Sequence, residues 1–180
     1  MFLCLAVGLA LTLIVSRAAL YAQTVPLSQG GAGAGPVVGN ILTARASATL
    51  SKTDNTLTDV AGMSVTLEAA TTYTFRVELF CTATDGGLRS LINGTATASA
   101  YVAEGVTIYD GATANSRTTT FGNGVSTVAT VVAPTVHITI TGMITTTDAG
   151  TFKVQFSQVS TNAAASTALV NSYMWVMETE

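Results

Sequence analysis

Charged residues are scarce in this chain of 180 residues. Lys and Arg number 7 and Asp and Glu number 10, so charged side chains make up 9% of the sequence, against about 25% in a typical globular protein. The net charge is −3, and the basic residues form no cluster. Because binding to nucleic acid needs Lys and Arg to displace counterions from phosphates, this composition argues against a nucleic-acid partner.

Residues that commonly build catalytic or metal sites are also few. The chain has 2 cysteines and 1 histidine. Cys4 lies in an apolar N-terminal run and Cys81 at an inward-facing strand position, so we expect no disulfide and interpret Cys81 as a small buried hydrophobe. His137 stands alone on the polar face of a predicted strand, whereas zinc sites need three or four ligands. With no GxSxG elbow and no Ser-His-Asp spacing, the sequence predicts no catalytic residue, no metal site and no cofactor.

The N-terminal segment, residues 1–23, contains the apolar run FLCLAVGLALTLIV. It is short for a membrane span of about 20 residues and has the length of a signal-peptide core. However, no Lys or Arg precedes it, and Arg17 follows it. Three interpretations therefore stay open: a cleaved signal or anchor, a retained apolar helix, and a wrongly assigned start codon.

A Gly- and Pro-rich linker follows at residues 24–40, TVPLSQGGAGAGPVVGN. Glycine and proline at this density are typical of connecting segments. The linker does not fit a phosphate-binding loop, because no GK[ST] follows it and no helical pattern opens after it. The domain is therefore predicted to occupy residues 41–180.

From Ile41 onward apolar residues recur with a period of two, which indicates β-strands. TYTFRVELFC, residues 72–81, alternates cleanly. The residues predicted to face the core are Tyr73, Phe75, Val77, Leu79 and Cys81, and those predicted to face outward are Thr74, Arg76, Glu78 and Phe80. VHITITGMI, residues 136–144, is predicted to form a β-hairpin with GTFKVQFS, residues 150–157, through the turn TTDAG. About eight or nine short strands and no long helix predict an all-β protein, an antiparallel jelly roll or β-sandwich, and exclude a TIM barrel or a Rossmann fold.

Some strands carry apolar residues on both faces, and such strands are usually buried on both. Phe80 interrupts the polar face of its strand, and Met174 and Val176 oppose Tyr173, Trp175 and Met177 on the last one. A second apolar face predicts a subunit interface, although a loop folded over it would serve equally well. We also expect Gln155 or Gln158 to be hydrogen-bonded near such an interface. The interface candidates are Phe80, Gln155, Gln158, Met174 and Val176.

The order of the last segments resembles a β-domain of tailed-bacteriophage virion proteins. In that family a strand ending in Gly-hydrophobic-Ile leads to a Gly-Thr turn, a strand with alternating hydrophobic residues and Ser/Ala-Gln, a loop of small polar residues and a final aromatic strand. The corresponding elements here are Gly142–Ile144, Gly150–Thr151, Phe152–Gln158, Ser160–Thr167 and Ser172–Val176. The segment PLSQGGAGAG, residues 26–35, is similar to the PLxxGGTGA linkers that join modules of phage tail fibres.

This resemblance implies a non-enzymatic virion structural protein. Family members are jelly-roll-like, usually trimeric, and serve as fibre tips, receptor-binding modules or capsid decoration proteins. The expectation is a homotrimer in the virion, in contact with capsid or tail proteins and, as a receptor-binding module, with a host-surface receptor. Capsid decoration and tail fibre are not separated by the residues.

A second function of a different class also fits the sequence. The chain would then be a secreted or surface-anchored β-sandwich, an adhesin or carbohydrate-binding module, with the apolar run as a true signal. Its location would be extracellular or at the cell surface. Cleavage after Ala18 or Ala22 would distinguish this function from the virion interpretation.

Overall fold

The computed structural model describes residues 39–128 and 132–179. Twelve strands lie in these ranges. They are β1 (Ile41–Arg45), β2 (Leu50–Lys52), β3 (Thr58–Leu67), β4 (Thr72–Ala83), β5 (Leu88–Asn93), β6 (Thr97–Tyr109), β7 (Ala112–Thr118), β8 (Gly124–Val128), β9 (Ala133–Asp148), β10 (Gly150–Ser157), β11 (Ser166–Ala168) and β12 (Tyr173–Thr179). The described residues form no helix, so the all-β prediction is confirmed. Segment 1–23 and residues 24–38 of the linker lie outside the described residues.

The strands form two antiparallel sheets. Sheet A has the order β1-β12-β4-β9-β6-β7, and the short strands β2 and β11 are attached to β4 through β11. Sheet B has the order β3-β10-β5-β8. Every pairing in the described residues is antiparallel. The two sheets enclose a common apolar core, so the described residues form a β-sandwich.

The core consists of the inward-facing side chains of both sheets, as the two-residue period requires. The predicted inward set of β4 is confirmed, since Tyr73, Phe75, Val77, Leu79 and Cys81 are all buried. The alternating sets of β9 and β10 are buried as well. Across the core, the Phe75 and Phe152 rings lie 5.0 Å apart at their centroids in a tilted arrangement, a favourable geometry for an aromatic pair.

The predicted hairpin between residues 136–144 and 150–157 is wrong. β9 pairs with β4 and β6 in sheet A, whereas β10 pairs with β3 and β5 in sheet B. Only Ala149 separates the two strands, and the chain passes there from one sheet to the other. Gly150 makes this corner possible, because a Cβ at this position would collide with the Ala96 backbone. The predicted turn TTDAG is reduced to Ala149, because Thr146, Thr147 and Asp148 belong to β9 and Gly150 begins β10.

Strand boundaries also differ from the sequence pattern between residues 90 and 111. The pattern predicts one strand over 90–102 and another over 105–111. In the structure β5 ends at Asn93, and β6 runs without interruption from Thr97 to Tyr109. Gly105 therefore lies inside a strand, where a Cβ would collide with the Val125 carbonyl oxygen of β8. Glycine at this position reflects close approach of two backbones, not a strand end.

Candidate functional site

The outer face of sheet A is the surface that turns away from the core. Cross-strand pairs share a face and lie about 4.5–5.5 Å apart, so the register defines rows of side chains. Glu78 lies opposite Thr139, and Phe80 lies opposite His137. On the far side of β4, Tyr173 lies opposite Glu78. The outward positions of β4 and β9 therefore form one continuous surface with those of β12.

Glu78 is a buried carboxylate at the centre of this face. Its side chain is 3% exposed, although it points away from the core. Arg76 Nε donates to Glu78 Oε1. His137 Nε2 donates to Glu78 Oε2 at 2.6 Å, and Thr139 Oγ1 donates to the same oxygen at 2.8 Å. These four residues are the Glu78 cluster, and they combine two strands into one polar network.

The hydrogen bonds of the cluster decide the ionisation of Glu78. Burial of the carboxyl works to raise its pKa, because desolvation disfavours the charged form. The hydrogen bonds from Thr139, Arg76 and His137 outweigh burial, so the pKa of Glu78 lies below its ordinary value. Glu78 is therefore a carboxylate at neutral pH, and both of its oxygens are occupied by donors.

An aromatic pair covers one side of the cluster. The Phe80 ring stacks on the His137 imidazole with centroids 4.8 Å apart and planes inclined by 3°. Phe80 was predicted to face outward, and the structure places it on the outer face, half-buried. The stack holds the imidazole in the orientation that directs Nε2 at Glu78.

Large exposed apolar side chains lie on the same face as the Glu78 cluster. Ile108 is 49% exposed and lies opposite His137, and Tyr173 is 43% exposed. Met143 and Ile41 on the same face are 39% and 58% exposed. Exposed apolar side chains gathered on one face mark interaction sites more often than scattered ones do. The outer face of sheet A therefore has the composition of a binding surface.

The Glu78 carboxylate fixes the positions of Arg76 and His137. The hydrogen bonds of the described residues place no Ser or Cys against His137. No group of three or more His, Cys, Asp or Glu side chains among the described residues could hold a metal ion. What the geometry achieves is to hold Arg76 and His137 in defined positions between apolar neighbours.

Gln155 lies on the other side of the molecule, on the outer face of sheet B. Its Nε2 donates to Asp59 Oδ1 at 2.6 Å, and its Oε1 accepts a hydrogen bond from Asn93 Nδ2 at 3.3 Å. Lys153 Nζ forms an ion pair of 2.7 Å with the second oxygen of Asp59. This face is polar and pairs its own charges, which is typical of a surface in contact with water. Gln155 is hydrogen-bonded as expected, and the interface role remains a prediction.

Gln158 is fully buried and organises the loop after β10. Its Nε2 donates to the Ala164 carbonyl oxygen at 2.7 Å and to Thr84 Oγ1 at 3.2 Å. Its Oε1 accepts a hydrogen bond from the backbone N–H of Asn162 at 3.0 Å. These contacts link the small-residue loop to the end of β4. Within the described chain Gln158 has no exposed surface.

Met174 and Val176 do not lie on an outer face, and their placement corrects the prediction for the last strand. Both are buried in the core, with exposures of 1% and 0%. The cause is the register of β12 on β4, which places them opposite the inward residues Val77 and Phe75. The outward residues of β12 are Tyr173, Trp175 and Met177, which lie opposite the outward residues Glu78, Arg76 and Thr74 of β4.

Sequence reasoning missed the Glu78 cluster as a unit. Two short sequence patterns contain its residues, Arg76-x-Glu78 and His137-x-Thr139. In each pattern the two residues are two positions apart, so both lie on the outward face of their strand. Only knowledge that β4 and β9 are neighbours brings these patterns together. A carboxylate and an imidazole on outward positions of two long strands would have been the feature to test.

Comparison of the chain with protein-family models finds no matching family, and comparison with curated protein sequences finds no match either. Within the described ranges, no helix is long and apolar enough to cross a membrane.

Proposed function

We propose that this chain is a non-enzymatic structural protein of a bacteriophage particle, a β-sandwich subunit that assembles as a homotrimer. Its role would be capsid decoration or a tail-fibre module that contacts a host receptor. The observation that carries the proposal is the exposed apolar surface on the outer face of sheet A, where Ile41, Ile108, Met143 and Tyr173 are all at least 39% exposed. The resemblance of the C-terminal segments to virion β-domains supplies the particle context.

The physical reason for assembly is the free energy of burying this face. Removal of apolar surface from water stabilises by about 25 cal/mol per Å². Closed symmetry repeats the same contact at every subunit, so a modest contact is multiplied within the assembly. The low charge of the chain also favours a permanent neighbour, because few charged side chains must lose their water.

The first test is the mass of the full chain in solution. One chain has a mass of 18.3 kDa. Light scattering coupled to size-exclusion chromatography should give three times this mass. A monomer across the concentrations that can be reached would refute the proposed assembly. A dimer or tetramer would refute the homotrimer and leave self-association standing.

The second test separates the particle from secretion. Peptides of the chain should be found by mass spectrometry in purified particles, with a mature N-terminus upstream of Ala18. A chain that is secreted and cleaved after Ala18 or Ala22 would instead support an adhesin or carbohydrate-binding module.

A further inference from the structure

The two outer faces of the sandwich differ in how completely they satisfy their own side chains. On the outer face of sheet B, Lys153, Asp59, Gln155 and Asn93 form one hydrogen-bonded set. On the outer face of sheet A the Glu78 cluster is such a set, but exposed apolar residues share the face with it. A protein neighbour would therefore displace water from the outer face of sheet A at a lower free-energy cost than from the outer face of sheet B.

Charges on the outer face of sheet A are arranged on opposite sides of its central strand β9. Arg76 on β4 and Glu104 on β6 both lie opposite Thr141 on β9. Since neighbouring strands are about 4.8 Å apart, the two Cα atoms are about 10 Å apart. Glu104 is exposed and forms no ion pair within residues 39–128 and 132–179. Arg76, with 47% of its side chain exposed, provides a cation at the same height.

The row continues outward in both directions. Trp175 lies beyond Arg76 on β12, and Arg117 lies beyond Glu104 on β7. A second row contains Phe80 on one side of His137 and Ile108 on the other. The two halves of each row therefore carry groups that attract one another. The first row offers Arg76 for Glu104 and Trp175 for Arg117, and the second offers the Phe80 ring for the Ile108 side chain.

We propose that a second copy of this chain covers the outer face of sheet A, with the β12–β4 half of one copy against the β6–β7 half of the next. This proposal rests on the proposed homotrimer and names the surface that it uses. The symmetry axis runs parallel to β9 and in front of Thr141. Rotation about an axis parallel to the strands does not move a residue along the strand direction. Residues paired across the sheet in one row therefore meet the same row of the neighbouring copy, and Arg76 meets Glu104 of that copy. At the same height, Trp175 meets Arg117 of the neighbouring copy.

The whole outer face of sheet A is used in this arrangement. Six strands about 4.8 Å apart with about seven residues of about 3.3 Å each span roughly 650 Å² before side-chain relief is counted. Each copy divides this area between two neighbours, so one pairwise contact is smaller than the standard interface of about 800 Å² per partner, and only the closed trimer covers the complete face.

The test uses light scattering on the full chain and four single variants. Two change the outer face of sheet A, Glu104→Arg and Ile108→Asp. Two controls change exposed residues away from the outer face of sheet A: Glu68→Arg for the charge reversal, and Thr66→Asp, on the outer face of sheet B, for the introduced carboxylate. Reversal of Glu104 places like charges together in the contact, so we expect association about a hundredfold weaker or more. Circular dichroism of each variant separates loss of assembly from loss of folding.

A milder pair of variants keeps the test decisive if the charged variants unfold. In a Cys4→Ser background, Thr141→Cys should be crosslinked between chains by a short bis-maleimide reagent, because copies of residue 141 face one another across the axis at a distance too long for a direct disulfide. Thr66→Cys, exposed on the outer face of sheet B, should stay uncrosslinked.

The outcomes separate this inference from the proposed function. Dissociation by the face variants alone, with crosslinking at residue 141, would support both. A trimer that survives the face variants, or that crosslinks at residue 66 and not at residue 141, overturns the sheet A contact and leaves the homotrimer standing. A wild-type chain that is monomeric overturns both.

Discussion

His137 Nε2 lies 2.6 Å from Glu78 Oε2, although 59 residues separate the two in sequence. The contact joins β9 to β4 on the outer face of sheet A. It is diagonal, because His137 lies directly opposite Phe80 and Glu78 lies directly opposite Thr139. It places an imidazole against a buried carboxylate that also accepts hydrogen bonds from Arg76 and Thr139. The pair makes this face sensitive both to substitution and to pH.

Substitution of the carboxylate should destabilise the fold. Glu78→Gln keeps the shape of the side chain but removes the charge that accepts from Arg76, His137 and Thr139. Hydrogen bonds to charged groups contribute about 1.5–3 kcal/mol, and the exposure of Arg76 reduces this, so we expect a loss of about 1–2 kcal/mol in the free energy of unfolding. Urea denaturation measures it, with Glu104→Gln on the same face as the control. Equal midpoints for Glu78→Gln and wild type would contradict the prediction.

Acid should weaken wild type more than Glu78→Gln. The pKa of Glu78 is lowered in the folded state from its ordinary value of 4.5, so its contribution is fully present above pH 4.5 and is lost as the pH falls through the folded value. The pKa values of Asp54 and Asp59 are also lowered, first of all by hydrogen bonds from Lys52 and Lys153. Subtraction of the variant's pH profile from that of wild type isolates Glu78. Parallel profiles below pH 4.5 would show that its carboxylate is not stabilised by folding.

The two glutamines should differ strongly on truncation. Gln158→Ala removes a fully buried side chain that bonds Thr84, Asn162 and Ala164. Asn162 N–H keeps the Thr53 carbonyl oxygen and the Ala164 carbonyl oxygen keeps Thr84 Oγ1, so the loss is that of the Gln158 hydrogen bonds themselves, about 1–2 kcal/mol. Gln155→Ala, on the exposed face of sheet B, should cost about 0.5 kcal/mol or less. Hydrogen exchange should also speed up at Asn162 in the first variant only. Similar losses for both variants would mean that Gln158 does not organise its loop.

Cys81 should be chemically silent until the protein unfolds. The thiol is buried in the core, and burial raises its pKa, so the reactive thiolate is absent at neutral pH. In a Cys4→Ser background, iodoacetamide should label Cys81 only in denaturant, and Cys81→Ser should remain unlabelled in both conditions. Rapid labelling of the native chain would show that β4 opens locally.

The two-residue period predicted the inward residues of the long strands because these strands have one apolar and one polar face. For β12 the period was not sufficient, since Met174 and Trp175 are both apolar. The register of β12 on β4 decides which residues face the core, because it places Met174 opposite the inward residue Val77. Register depends on which strands are neighbours, and local sequence does not contain that information.

The same dependence on sheet membership explains why the predicted hairpin was wrong and why the Glu78 cluster was missed. Asp148 and Gly150 have turn chemistry, which is equally compatible with a hairpin and with passage between two sheets. Burial of Glu78 could not be predicted because it comes from Arg76, His137 and Thr139 acting together on two strands. Turn type and side-chain parity are local properties, whereas sheet membership is a property of the whole chain.

The pairing of β9 has a consequence for the order in which the protein folds. β9 is the central strand of sheet A, yet its contacts reach far back along the chain, with 73 residues between Thr145 and Thr72. The last strand contacts β4 over a similar range, with 107 residues between Thr179 and Thr72. Folding rates fall as the mean sequence separation of contacts rises. Sheet A therefore cannot close early during synthesis, and refolding should take milliseconds to seconds, with β4 unpaired until the second half of the chain is present.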